Sequence, residues 1–343
     1  MMSYPQTPAR RLRRSAGLLS VTALATSALM VSLAASLTLG TAPAEAAPST
    51  SARVHYTFRE IDNQNDPTFN QLLGINDKGK IAGYFGSGAK GHPNKGYTLV
   101  PPYRQLNFRN QNFPGSKQTQ VTGLNNTGIQ VGFYSTMNLA SMSNNNFGFY
   151  STNGTHFHKV SFPTSDPASP PVDQLLGVND SGLAVGFYVD GHSNSHAYLY
   201  NISRNKYTSW SSGISGVTST TATGINGEDS ICGFVVTKSN KTEGFLVRAA
   251  SPHLLVINFP GATATMPFGV NKFGEVVGAY TTGPSSAPLT FGFTWSRGHG
   301  FQKINYPGSM KGTTLVNGIN DQGDLVGFYN GKGGNTNGFL AKP

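Results

Sequence analysis

The chain has only one cysteine, Cys232, among its 343 residues. A single cysteine excludes an internal disulfide, so stability has to come from an ordinary apolar core, which a chain of this length can bury. Cys232 lies in the apolar run ICGFVV. A small buried hydrophobe is expected there, whereas a catalytic thiol needs an exposed, electropositive place.

Charged residues are also scarce, at 12% of the chain, about half the usual share. The net charge is +10, but the basic residues beyond the N-terminal stretch are scattered singly. This scatter excludes nucleic acid as an expected partner, because such binding requires clustered Lys and Arg on one face. No carboxylate pair of the glycosidase kind can be picked out, and no G-x-S-x-G, H-E-x-x-H or P-loop motif is present. The sequence therefore favours a non-catalytic protein without a cofactor.

Long apolar runs are absent except near the N-terminus. Residues 1–17 carry four arginines and no acid, residues 18–40 are uncharged and mostly apolar, and Ala44-Glu45-Ala46 offers a small-residue cleavage site. This order predicts a secretory signal peptide over residues 1–46, followed by a short linker over 47–54. A retained membrane anchor is the alternative, and Sec and twin-arginine export both stay open. We expect a secreted, extracellular protein, in solution or associated with the cell surface, whose mature chain has no membrane span.

One short pattern recurs throughout the rest of the chain. A Gly-apolar-Asn triplet appears six times, beginning at Gly74, Gly123, Gly177, Gly224, Gly269 and Gly318. A second glycine follows at a fixed offset in every copy, at Gly83, Gly132, Gly186, Gly233, Gly278 and Gly327. Asn favours the start of a type I turn, and glycine at the fourth position, which only the fourth copy lacks, accepts the left-handed conformation. Each copy therefore predicts a β-hairpin.

Two further strand patterns complete each repeat of about 49 residues. Four short strands recurring six times predict an all-β, six-bladed β-propeller that forms a single domain over residues 55–343. We also expect a monomer. A β-helix is the competing architecture. In most repeats the third strand has a Gly-Phe pattern and the fourth is an apolar alternation that often ends in Pro-Gly. The mature chain begins with a strand of the fourth pattern near Tyr56 and ends with a strand of the third pattern near Leu340. We therefore expect the N-terminal strand to complete the last blade, which would remove an exposed edge.

The hairpins GINDKGKIAG, GVNDSGLAVGFY and GINDQGDLVGFY resemble those of the bacterial extracellular repeat family called HAF. His196-Ala197-Tyr198 is the nearest match to the His-Ala-Phe triplet of that family, and the other copies depart from it. The resemblance extends over about residues 55 to 340. It implies an exported, propeller-like protein and no catalytic residues that can be assigned here.

The repeated polar residues have a structural and a functional interpretation. The triplet asparagines, Asn76 among them, could form a ring that binds a polyol, but closing their own turns is the favoured interpretation. Asp77, Asp180 and Asp321 follow three of these asparagines, yet other copies have Asn126, Gly227 or Lys272 there. We therefore expect no shared calcium site, although calcium does take carboxylate ligands.

Aromatic residues and a histidine loop are the candidate ligand-binding residues. Tyr134, Tyr188, Tyr280 and Tyr329 occupy one repeat position, which Phe85 and Val235 fill in the other copies. Tyrosine suits sugars or peptides, but packing between blades is the favoured alternative. The loops after these tyrosines vary most, and one of them contains Asp190, His192 and His196. We assign His192 and His196 to ligand binding and expect no metal, because no nearby acid completes a known motif.

These patterns together predict an exported binding or scaffold propeller that engages a cell-wall polysaccharide or a surface protein. The alternative is an exported hydrolase or lyase with its site at the axial pocket, and the fold alone does not decide between them.

Overall fold

The computed structural model describes residues 53–137, 144–211, 214–248 and 251–343, with side chains from residue 254 onward in the last range. The signal peptide expected over residues 1–46 lies outside the described residues, as does most of the linker expected over 47–54. Within the described part, no helix is long and apolar enough to cross a bilayer.

The described residues form 24 β-strands and one short 3₁₀ helix, Gln105–Asn107. After the first strand, β1 (Thr57–Glu60), the strands follow in antiparallel sets that we call modules 1 to 6. Module 1 contains β2 (Asn70–Ile75), β3 (Ile81–Phe85), β4 (Lys95–Leu99) and β5 (Phe108–Asn110). Module 2 contains β6 (Gln118–Leu124), β7 (Ile129–Ser135), β8 (Phe147–Thr152) and β9 (His156–Val160). Module 3 contains β10 (Asp173–Val178), β11 (Leu183–Val189), β12 (Ser195–Asn201) and β13 (Lys206–Ser209).

The second half of the chain repeats this order. Module 4 contains β14 (Val217–Ile225), β15 (Ile231–Thr237), β16 (Thr242–Arg248) and β17 (Ser251–Ile257). Module 5 contains β18 (Ala264–Val270), β19 (Val276–Thr282), β20 (Leu289–Ser296) and β21 (Gly300–Ile304). Module 6 contains β22 (Leu315–Ile319), β23 (Leu325–Asn330) and β24 (Thr336–Lys342). One parallel residue pair, Thr242 with Ala264, joins modules 4 and 5 into an eight-stranded sheet.

The two ends of the chain meet in one sheet. Strand β1 pairs antiparallel with β24, with Thr57 opposite Lys342 and Glu60 opposite Phe339. Module 6 thereby acquires its fourth strand from the start of the chain, as the order of strand patterns predicts. This pairing covers an edge of β24 that would otherwise present unpaired backbone groups to solvent.

The first strands of the modules approach one another through their triplet glycines. A Cβ added to Gly74 would lie 3.3 Å from the Cα of Gly123, and the same relation continues from module to module. The last glycine returns to the first, since a Cβ on Gly318 would lie 3.0 Å from the Cα of Gly74. The first strands therefore surround one axis in a closed, propeller-like ring with backbone packed against backbone.

The second glycine of each repeat is required for a different reason. It lies on the second strand opposite a bulge in the first, where the pairing register shifts, as between Leu175 and Gly177. A Cβ on Gly186 would collide with the backbone carbonyl oxygen of Gln174. The equivalent collision occurs in each of the other described modules, at Gly83, Gly132, Gly233, Gly278 and Gly327.

The triplet asparagines close their own turns and also join neighbouring modules. In module 1 the Oδ1 of Asn76 accepts the backbone N–H of Lys78 at 3.1 Å and of Lys80 at 2.9 Å. The Asn76 Nδ2 donates to the backbone carbonyl of Asn125 at 2.9 Å. Equivalent donations run through Asn125, Asn179, Asn226, Asn271 and Asn320, and the last returns to the carbonyl of Asn76. The turn interpretation is confirmed, and the amide ring is occupied by these bonds rather than offered to a polyol.

The apolar core lies between consecutive modules. One cluster combines Leu72 and Tyr97 of module 1 with Val326 and Leu340 of module 6, and five similar clusters fill the other seams. Cys232 belongs to the seam between modules 4 and 5, where it is fully buried, and burial raises the pKa of its thiol to about 12. The expectation of a buried cysteine is confirmed.

Gly186→Ala tests the close backbone packing. We expect a loss of about 1–3 kcal/mol or more in the free energy of unfolding, because backbone atoms cannot move aside as a side chain can. Gly227→Ala is the matched control, since nothing lies within 4 Å of its added Cβ, and its effect should stay within about 0.5 kcal/mol. Urea denaturation of both variants measures the difference; equal stabilities would contradict the collision.

Asp62 follows the closing strand β1 and fills a position that asparagine fills in other modules. Its Oδ1 accepts the backbone N–H of Gly338 at 2.9 Å, as Asn112 accepts that of Gly96 and Asn258 that of Gly244. Burial raises the pKa of Asp62 to about 7; the Gly338 hydrogen bond opposes this rise and the charge of Glu60 adds to it. An ionised acid is therefore unfavourable at this position.

Asp62→Asn should stabilise the protein in a pH-dependent way. Between about pH 4 and pH 7 the unfolded chain loses the Asp62 proton while the folded chain keeps it, so the wild type loses stability as the pH rises and Asn does not. The gain at pH 8 should be on the order of 1–2 kcal/mol, reduced by solvent screening, and should shrink towards pH 4. The reverse variant Asn258→Asp should lose stability over the same range. A gain for Asp62→Asn that does not change with pH, measured by thermal unfolding, would refute this assignment.

Candidate functional site

Antiparallel order sorts the connections of every module onto two faces. The asparagine turns lie at one end of the strands. The loops between second and third strands, such as 86–94 and 190–194, lie at the other end. The segments that link modules, such as 61–69 and 161–172, lie at that end too. We call this second end the loop face. Its connections differ between modules, so it is where binding specificity can vary without disturbing the repeat.

The acids beside the asparagine turns join modules and do not converge. Asp77 Oδ1 accepts the backbone N–H of Asp321 at 2.8 Å, and Asp180 Oδ1 accepts that of Asn126 at 2.7 Å. Asp321 accepts the backbone N–H of Lys272 at 2.9 Å. Among the described residues these three carboxylates do not form a group close enough to share a metal ion.

The repeated tyrosines pack against rings at the ends of neighbouring modules. Each stacks nearly parallel on an aromatic residue that follows the fourth strand of the preceding module. The pairs are Tyr134 on Phe113, Tyr188 on Phe162, Tyr280 on Phe259 and Tyr329 on Tyr306. Tyr134, Tyr280 and Tyr329 are less than a tenth exposed. Their ring faces are thus covered by packing, and the four tyrosines lie in different seams rather than in one site.

Tyr188 is the exception among these tyrosines because it is only partly buried. One face stacks on Phe162 and the ring also stacks with His196, at 5.1 Å between centroids. In the other modules Phe147 and Phe291 lie at the position of His196. Module 3 therefore carries an imidazole, exposed over 42% of its side chain, where those two modules have a phenyl ring.

The histidines of module 3 lie beside two carboxylates. His196 Nε2 lies 2.8 Å from Asp190 Oδ2, and His192 Nδ1 lies 3.3 Å from Asp166 Oδ2. Partial burial raises the pKa of Asp190, but hydrogen bonds from His196, Asn194 and the His192 backbone prevail and lower it to about 2. Asp190 is therefore an ionised acceptor at any physiological pH. Tyr188, His192 and His196 are the predicted ligand-binding residues that the structure brings together.

Asp166 is the member of this cluster that sequence reasoning missed. It lies 24 positions before Asp190, in the long segment between modules 2 and 3. An Asp-Pro dipeptide recurs as Asp66-Pro67 before module 1. There Asp66 Oδ2 lies 2.7 Å from His92 Nδ1, so the same pair of connections brings an acid and a histidine together twice.

A cavity lies at the seam where β1 closes the ring. It has a volume of about 220 Å³ and is lined in part by Glu60, Asp62, Tyr103 and Phe108. The two carboxylates have structural partners, because Glu60 accepts from the hydroxyl of Tyr329 and Asp62 caps the backbone of Gly338. Their hydrogen bonds favour closure of the ring over a catalytic pair.

One acid is buried in module 3. Asp173 is 4% exposed and accepts the hydroxyl of Tyr198 and the backbone N–H of Phe162, both at 2.6 Å. Burial raises its pKa to about 6, against the lowering effect of these two hydrogen bonds. Thr119 and Thr265 make the equivalent backbone contact in other modules, so Asp173 holds the aromatic residue in place.

Comparison with known proteins identifies no family for this chain. No family model matches it, and no curated protein matches it. Among solved structures it is similar to TolB from Acinetobacter baumannii, with 11% identity, a TM-score of 0.47, and 77% of this chain and 63% of that chain covered. It is also similar to a prolyl endopeptidase, with 13% identity, a TM-score of 0.46, and 80% of this chain and 39% of that chain covered. A third similar structure is a PL25 ulvan lyase, with 12% identity, a TM-score of 0.42, and 82% of this chain and 80% of that chain covered.

The chain thus spans less than two thirds of the TolB and prolyl endopeptidase chains. Likenesses at this level carry no argument about activity.

Tyr280→Ala and Tyr188→Ala should lower the free energy of unfolding by different amounts, because Tyr280 is buried and Tyr188 is partly exposed. Removing the buried Tyr280 ring should cost about 3–5 kcal/mol in the free energy of unfolding, because it leaves a cavity against Phe259. Tyr188→Ala should cost at least about 1 kcal/mol less, since part of that ring is already in contact with solvent. Tyr280→Phe keeps the stack and should stay within about 1 kcal/mol of the wild type. Denaturant titration measures all three; equal losses for the two alanine variants would be inconsistent with the difference in burial.

Proposed function

We propose that this protein is an exported, non-catalytic binding or scaffold protein built on a six-bladed β-propeller. Six antiparallel modules of four strands, the glycine contacts that return from module 6 to module 1 and the pairing of β1 with β24 support this architecture. The basic, apolar and small-residue order of residues 1–46 supports export. The resemblance to the HAF family is consistent with both and stays a prediction.

The function rests on one observation. Most repeated polar and aromatic residues are engaged in joining modules, whereas Tyr188, His192 and His196 come together on the loop face with their side chains partly exposed. The exposed part of the Tyr188 ring can contact the apolar part of a sugar, while the imidazole and carboxylate groups beside it bond the sugar hydroxyl groups. We infer that the loop face of module 3 engages a cell-wall polysaccharide or the surface of another protein.

The alternative function is an exported hydrolase or lyase that acts at the axial pocket. It predicts that polymer chains shorten during incubation, which a binding protein would not cause. The same polymer panel can therefore be used to test both functions.

The test is a binding screen of the mature protein against glycans and cell-wall polymers. Tyr188→Ala and His192→Ala should each weaken binding at least about tenfold, the effect of losing one central contact. His299→Ala is the control, because His299 is an exposed histidine at the opposite end of the strands and its ring contacts Ser296. Circular dichroism should verify that each variant is folded.

Unchanged binding in both loop variants would remove module 3 from the proposal. Shortening of a polymer by the wild-type protein would favour the enzyme instead.

A further inference from the structure

A group of possible metal ligands lies on the loop face of module 3. Asp166, Asp190 and His192 each offer one ligand atom, and these atoms all lie within 4.8 Å of one another. The side chains of Asp166 and His192 are 57% and 80% exposed, so a cation can reach the group from solvent. No other such group of three occurs in the part of the chain that the structure describes.

Backbone contacts hold the two parts of this group together. Pro167 and Asp190 form an antiparallel bridge, and Ala168 donates its N–H to the carbonyl of Val189 at 3.0 Å. Gly191 donates its N–H to the carbonyl of Asp166 at 3.2 Å. The Asp166 carboxylate lies where a Cβ on residue 191 would be, so Gly191 leaves space for the carboxylate in its present position. The acid from the linking segment is thereby fixed beside the histidine loop.

The Asp190 carboxylate is oriented by a partner outside the group. His196 contacts its Oδ2 at 2.8 Å, and the His196 ring is itself stacked on Tyr188. The backbone N–H groups of His192 and Asn194 donate to Oδ1, each at 2.9 Å. Metal-binding side chains are commonly held in this way by hydrogen bonds from neighbouring groups, which fix their direction.

We propose that Asp166, Asp190 and His192 bind a divalent transition-metal cation, for which Zn²⁺ is the best fit. Carboxylate oxygens alone would suit Mg²⁺ or Ca²⁺, whereas an imidazole nitrogen in the set favours zinc and its neighbours. Three protein ligands leave the remaining coordination to solvent, as in open zinc sites. The cation would also relieve the repulsion between two nearby carboxylates.

The related pair in module 1 provides an internal control. Asp66 and His92 lie 2.7 Å apart, but no third ligand group accompanies them in the described residues. Asp66 is mostly buried, and its Oδ1 accepts both the hydroxyl and the backbone N–H of Thr68. We therefore expect zinc at the module 3 group and not at the Asp66–His92 pair.

The experiment is isothermal titration of the untagged, chelator-treated mature protein with ZnCl₂, with MgCl₂ and CaCl₂ in parallel. About one equivalent of zinc should bind, and the affinity for magnesium and calcium should be much lower. His192→Ala and Asp166→Asn should each lower zinc affinity at least about tenfold, and His196→Ala should lower it by a similar factor by releasing Asp190. His92→Ala should leave affinity and stoichiometry unchanged.

Three outcomes would overturn the proposal: no saturable zinc binding, zinc binding unchanged by His192→Ala, or zinc binding abolished by His92→Ala. Asp190→Asn keeps an oxygen for the turn hydrogen bonds, so its loss of zinc affinity can be separated from misfolding by its thermal unfolding profile. Zinc titration needs no polymer, and its failure would leave the proposed binding function to be judged by the polymer screen alone.

Discussion

The close approach of the first strands around one axis is the constraint on which this structure depends. Backbone meets backbone there, and the triplet glycines supply the space, since a Cβ on Gly318 would come within 3.0 Å of the Gly74 Cα. The second glycine of each repeat meets the same requirement on the second strand, where it lies opposite the bulge in the first strand. Packing at this density leaves little room for side chains, so a larger residue at these positions must displace neighbouring backbone and destabilises the ring.

Hydrogen bonds from the asparagine turns join each module to the next. Each amide oxygen closes its own turn, while each amide nitrogen bonds to the next module, and the sixth returns to Asn76. Stacked rings such as Tyr280 on Phe259 join the outer parts of the modules. Because these repeated residues are occupied in joining modules, the chemistry that distinguishes one module from another lies in the loops.

The loop face of module 3 illustrates that division. His196 replaces the phenyl ring found in modules 2 and 5, and the long linking segment brings Asp166 against Gly191. One substitution in a strand and one longer connection thus convert a packing position into a polar, exposed cluster. The fold supports this change because neither residue belongs to the axial ring, and His196 keeps a stacking contact with Tyr188.

The sequence by itself determined the repeat, the hairpin turns and the buried cysteine, because each follows from a local pattern or from a pattern repeated at a fixed interval. It also determined the pairing of the chain ends, because the last repeat lacks one strand and the N-terminal strand has the missing pattern. Even Asp229, which departs from the glycine pattern, takes the same left-handed turn conformation at φ 55°. Only the tertiary structure decided which tyrosine faces are covered and that Asp166 joins Asp190 and His192. Those contacts join separate segments of the chain, and their distances depend on how the modules and their connections pack rather than on any local pattern.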